Sequence, residues 1–146
     1  MKHGTVLRRT AFTLSALLTA ALPAPSTAQE RMGIAFVQAP EQSTGLCVAA
    51  TAEQAFACAT KKCTDGGALA ADCLKTNWCF PAGWSVDVFL QHNEGVHWHE
   101  VSCGWATKSA ALTAAKLICD PQERQYVVDC TVTGLYDPKG QLADLN

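Results

Sequence analysis

From residue 84 to 91 the chain alternates, with Trp84, Val86, Val88 and Leu90 set against Ser85, Asp87, Phe89 and Gln91. A period of two predicts a strand with one buried face. VHWHEVSC (96–103) follows as its hairpin partner, across a turn that contains Asn93 and Gly95, two residue types that tolerate positive φ. An earlier hairpin is predicted from GIAFVQ (33–38) and GLCVAA (45–50), a last strand from QYVVDCTV (125–132), and a poorer strand from 68–74. Two segments change to a helical period. Ala55, Phe56 and Ala59 form one stripe, and Ala111, Leu112, Ala115 and Ile118 form the other. Thr51 and Thr107 stand where each helix needs a cap, with Gln54 completing a capping box in the first. Asp65-Gly66-Gly67 and Asp120-Pro121 stop the two helices.

The two segments are related by a shift of 56 residues. CVAATAEQAFACATKKC then lies on CGWATKSAALTAAKLIC, which superposes Cys47 on Cys103, Ala55 on Ala111, Ala59 on Ala115 and Cys63 on Cys119. One inserted residue brings Cys73 onto Cys130. The pattern predicts a tandem hairpin-helix-strand duplication, with repeats at about 33–76 and 84–133. Its expected fold class is α+β, an antiparallel sheet with both helices on one face.

Composition adds a location. Lys2, Arg8 and Arg9, the apolar run 11–22 and the small residues Ser26-Thr27-Ala28 predict a signal peptide over 1–28, with Gln29 as the mature start. The Arg8-Arg9 pair suggests twin-arginine export, but Phe12 is one place late, so ordinary secretion is preferred. The apolar run is too short for a membrane span. Taking three of the 11 basic residues away leaves eight against 13 acidic ones, a mature net charge of −5. That balance, without a basic cluster, argues against nucleic acid and anionic membrane as partners. A periplasmic or secreted domain of 146 minus 28, or 118, residues follows.

Eight cysteines in an exported chain predict four disulfides. If equivalent cysteines pair equivalently, two schemes survive. One pairs Cys63 with Cys73, Cys119 with Cys130 and Cys47 with Cys103. The other pairs Cys47 with Cys73, Cys103 with Cys130 and Cys63 with Cys119. The first is preferred because it ties each helix end to the following strand, and Cys58 with Cys79 is left by exclusion. Each short loop closed this way contributes roughly 2.5 to 3 kcal/mol in the chain-entropy account.

ATAEQAFACATKKC with Cys73, and GWATKSAALTAAKLIC with Cys130, resemble a family of small exported bacterial Ala/Cys-rich domains of unknown function, in which a strand like GIAF precedes the helix and the unit is often duplicated. The resemblance implies the duplicated fold over nearly the whole mature chain. It implies no activity and no catalytic residue.

Candidate chemistry is concentrated in HNEGVHWHE (92–100), which holds three of the four histidines. On a strand, His97 and His99 share a face, and a tight turn would set His92 against His97. With Glu94 these form a candidate set for Zn or Cu. A bare His-x-His lacks the ligands that define a zinc site, so a polar hairpin is the preferred reading. Trp98 and Trp105 are a possible binding face, with core packing as the alternative. No serine-hydrolase elbow, zinc-protease helix or phosphate loop occurs. The expectation is an exported, disulfide-stabilised, non-enzymatic domain, without a cofactor, that binds a protein or cell-envelope component. The alternative is a metal-binding protein or small metal-dependent hydrolase using His92, His97 and His99.

Overall fold

A computed structural model describes Met1 and residues 31–146, so all but the first residue of the expected leader lies outside the described segment. The elements run β1 (Gly33–Ala39), β2 (Ser43–Ala49), α1 (Ala52–Asp65), β3 (Leu74–Cys79), β4 (Trp84–His92), β5 (His97–Trp105), α2 (Lys108–Ile118) and β6 (Val127–Tyr136). Both helices begin at the threonines that the sequence marks. Thr51 Oγ1 accepts from the Gln54 N–H at 3.3 Å, and Thr107 Oγ1 accepts from the Ala110 N–H at 3.1 Å. The third strand is the one displaced from expectation. Residues 68–73 form turns and the strand starts at Leu74, because LKTNWC is an edge segment with little burial and so carries no clear period.

The α+β class holds, but the strands form two sheets where one was expected. Each is three-stranded and antiparallel, in the orders β2-β1-β3 and β5-β4-β6. Each half thus places its first strand centrally and sends its helix to a strand on the other side. Ala59 and Cys63 of α1 close on Val37, Ala39 and Cys47, while Ala111 and Ala115 of α2 close on Val86, Val88, Leu90 and Leu135. Small residues allow that approach. A Cβ on Gly45 of β2 would lie 2.0 Å from the Ala59 carbonyl oxygen, so only glycine fits beneath α1.

The helix-free faces of the two sheets turn toward each other. Phe36 of β1 meets Tyr136 of β6 edge-on at 6.0 Å between ring centroids, and a Cβ on Gly140 would meet Leu46, Val48 and Ile34. The helices therefore cover separate faces of separate sheets, which replaces the expected arrangement of two helices on one face. Ser85 and Asp87, the polar side of the β4 alternation, are buried at 0% and 9% exposure. A second sheet covers the face that a period of two assigns to solvent.

All eight cysteines are oxidised, in the pairs Cys47–Cys58, Cys63–Cys73, Cys79–Cys103 and Cys119–Cys130. The two helix-end bridges match the preferred scheme. The Cys47–Cys103 and Cys58–Cys79 pairings do not occur, for a reason in the backbone. The register of β4 on β5 shifts between Trp84 and Val86, and Gly104 takes φ 86°, whereas β1 on β2 runs without interruption. Cys103, beside this irregularity, bonds Cys79 on the neighbouring sheet's edge. Cys47 remains under α1 beside Cys58, whose counterpart under the 56-residue shift is Ala114.

Candidate functional site

The β4–β5 ladder decides where the histidines go. Gln91 pairs with His97 and Phe89 with His99, so both imidazoles share the face of β5 that looks toward the first sheet. Phe89 lies close to both, 5.4 Å from the His97 ring centroid and 5.7 Å from that of His99. His92 is not on that face. Its N–H donates to the Val96 carbonyl, its Nδ1 accepts from the Glu94 N–H at 3.1 Å, and its ring packs on Tyr126 at 5.2 Å. The turn is longer than the tight one expected, because His92 closes onto Val96 and Gly95 takes φ 93°. The expected ligand set of His92, His97, His99 and Glu94 is accordingly split into two places. Among the described residues no group of three or more His, Cys, Asp or Glu side chains is placed to hold a metal ion.

His99 has a partner that the sequence reading did not assign to the site. Its Nδ1 lies 3.0 and 3.1 Å from the two carboxylate oxygens of Asp87, diagonally across on β4. A carboxylate only accepts, so in the neutral ring it selects the Nδ1–H tautomer and leaves Nε2 as an acceptor. The Asp87 side chain is 12% exposed and that of His99 30%, so the carboxylate lies deeper than the ring it orients. Tyr136 stands behind this pair, its phenol raised above the usual range first by burial and then by the Asp87 charge.

The opposite wall comes from the β1–β2 turn. Ala39 accepts from the Gln42 N–H across Pro40 and Glu41, and Glu41 has φ 60°. Proline second and a positive φ third is the type II pattern, in which the third position favours glycine or asparagine. The glutamate that stands there puts its carboxylate 3.7 Å from His97 Nδ1. Between this turn and β5 lies a cleft of about 400 Å³, bordered by Gln38, Glu41, Gln42, Ser43, Thr44, Phe89, His97 and His99 among others.

The other face of β5 is structural. Trp98 packs into the α2 core cluster and donates Nε1–H to Glu100 Oε1 at 3.0 Å, while Glu100 takes a bidentate pair from Arg124, with Arg124 Nη2 at 2.8 Å from Oε2. Arg124 holds the Glu100 carboxyl below its ordinary value against the opposing effect of partial burial, and Glu100 raises Arg124 in return. Trp105 lies at the far end of β5, 38% exposed, with Nε1–H on Ser102 Oγ. Trp98 and Trp105 thus occupy different settings, Trp98 half-buried between the α2 core and the cleft border and Trp105 at a strand end. A larger groove of about 730 Å³ between α2 and β6 is lined by Lys108, Leu112, Lys116, Val132 and Leu145 among others. It lacks an oriented pair like Asp87–His99. Sequence reasoning found His97 and His99 but missed Asp87, Phe89 and Glu41. For Asp87 and Phe89 the available signal was the alternation in 85–91, which resembles an exposed strand face, and Glu41 lies in a turn that carries no such pattern.

Among the described residues no helix is long and apolar enough to cross a membrane. Comparison of the chain with protein-family models, with curated proteins and with solved structures finds no match.

Proposed function

We propose that the protein is an exported, periplasmic or secreted, non-enzymatic binding domain, and that its ligand, a protein segment or cell-envelope component, enters the cleft between the β1–β2 turn and β5. Four disulfides support a small stable domain in an oxidising environment. The observation that carries the site is the Asp87–His99 pair, in which a largely buried carboxylate fixes an imidazole at a cleft wall beside an aromatic ring. Few convergent polar groups around an apolar surface is the general form of a recognition site. Membership of the exported Ala/Cys-rich family belongs to the same proposal, supported by the shared order of elements in the two halves. A tandem duplication would produce that order. The metal-dependent alternative would need His92 beside His97 and His99, and His92 instead packs on Tyr126.

The test is a residue-resolved NMR titration of the oxidised ¹⁵N-labelled protein. The probes are blocked amino-acid amides, chitooligosaccharide and zinc chloride. The reading expects at least one organic probe to shift residues 38–44, 89 and 97–99 together. Perturbation confined to the α2–β6 groove, or to zinc at the histidines, would overturn it.

A further inference from the structure

We infer that the cleft recognises a cationic side chain, the guanidinium of an arginine-bearing peptide segment. This deepens the reading above and rests on it. The permanent charges beside the cleft are carboxylates, Glu41 at its mouth and Asp87 behind His99. Glu41 supplies a carboxylate whose side chain is 60% exposed and stands 3.7 Å from His97, so it retains free acceptor positions toward the opening. Asp87 supplies a second negative charge behind His99, and in the neutral imidazole it leaves His99 Nε2 as an acceptor. Gln38, Gln42, Ser43 and Thr44 add neutral oxygens to the border, and among the described residues no lysine or arginine lines it. Phe89 with the His97 and His99 rings forms an aromatic surface beside these acceptors. A planar cation can stack on such a surface while its N–H groups reach a carboxylate.

An anionic ligand fits the same wall badly. It would face Glu41 at the mouth and Asp87 at the back, with no lysine or arginine of the described residues on the border. The backbone of Glu41 points the same way. A left-handed φ at a non-glycine residue is retained against a steric cost, and at this turn it holds a carboxylate at the cleft. Among the described residues, the charged and aromatic groups against His97 and His99 are Glu41 from the β1–β2 turn and Asp87 and Phe89 from β4.

The test uses the intact oxidised protein and three blocked pentapeptides, Ala-Ala-X-Ala-Ala, with X arginine, citrulline or glutamate. Citrulline keeps the shape of arginine and removes the charge. Calorimetry is expected to give the arginine peptide an affinity about tenfold above citrulline, the size of one charge-assisted hydrogen bond, with the glutamate peptide weakest. Glu41→Gln is expected to erase most of that margin. Glu94→Gln, which removes the same charge from the exposed β4–β5 turn outside the cleft, is expected to preserve it. Tryptophan fluorescence that is unchanged in both variants verifies that they are folded. Equal binding of arginine and citrulline peptides at residues 38–44 and 97–99, or equal loss in the two variants, overturns the cation and leaves the cleft as the binding site. If none of the peptides, and none of the blocked amides, carbohydrate or zinc probes, perturbs those residues, both the cation and the cleft fail.

Discussion

Glu41 holds a position where its own backbone works against it, and replacing it separates stability from binding. At φ 60° the Cβ of an L-residue crowds the following carbonyl, at a cost of about 1 to 2 kcal/mol. Glycine removes that cost but adds unfolded-state entropy, about 0.4 to 1 kcal/mol. The contact that is lost, 3.7 Å from His97 with the carboxylate 60% exposed, belongs to the class of surface pairs with little net worth. The balance for Glu41→Gly is a gain of roughly 0.5 to 1 kcal/mol. Glu41→Asn, which tolerates the conformation without glycine's entropy, is expected to do at least as well. Guanidinium unfolding with disulfides intact, followed by fluorescence of the four tryptophans, reads the midpoint directly. Both variants are expected to unfold later than the parent and to bind the arginine peptide more weakly. A midpoint lowered by more than the equivalent of about 0.5 kcal/mol would refute the reasoning, because the glutamate would then be retained for the turn and not for the cleft.

The Cys79–Cys103 bridge closes a 24-residue separation, against 10 or 11 for the other three. In the chain-entropy account that is worth about 3.5 kcal/mol, compared with about 2.8 for each shorter loop. Replacing both cysteines by serine should cost more than removing Cys119–Cys130, as read in urea, and an equal or smaller cost would count against that account. Gly45→Ala would press a methyl into the Ala59 carbonyl under a helix that two disulfides hold in place. A loss of about 3 kcal/mol or more is expected from chemical unfolding. Because Arg124 depresses the Glu100 carboxyl, the stabilisation is complete above the unfolded glutamate value of about 4.3 and is lost as pH falls through the lower folded value. Arg124→Ala should cost about 1 kcal/mol at pH 7, given that the pair is partly solvent-screened, and the gap from the parent should narrow toward pH 3. A gap independent of pH would point to packing alone.

Local signals were legible where they depend on near neighbours. The threonine caps, the alanine stripes beneath both helices and the two helix-end disulfides were all available from spacing. Signals that depend on the meeting of the two halves were not. Ser85 and Asp87 look like a wet strand face, and only the opposing sheet buries them. The register shift near Cys103 turns on Gly104, and no alternation of side chains announces it. The shared face of His97 and His99 follows from strand periodicity, whereas their partners come from β4 and from a turn more than 50 residues earlier. His92 shows the converse. It lies next to the pair in sequence, but the extra length of the turn carries it to Tyr126.

The central claim is that His99, oriented by Asp87, faces ligand in the inter-sheet cleft. Imidazole ¹⁵N spectra of the oxidised protein, recorded free and saturated with the arginine peptide, test it most directly. The account predicts an Nδ1–H tautomer at His99 in the free protein, with His99 Nε2 and the His97 ring shifting on binding and His92 unchanged. An Nε2–H tautomer at His99, or a bound state that moves His92 and leaves His99 still, would contradict it.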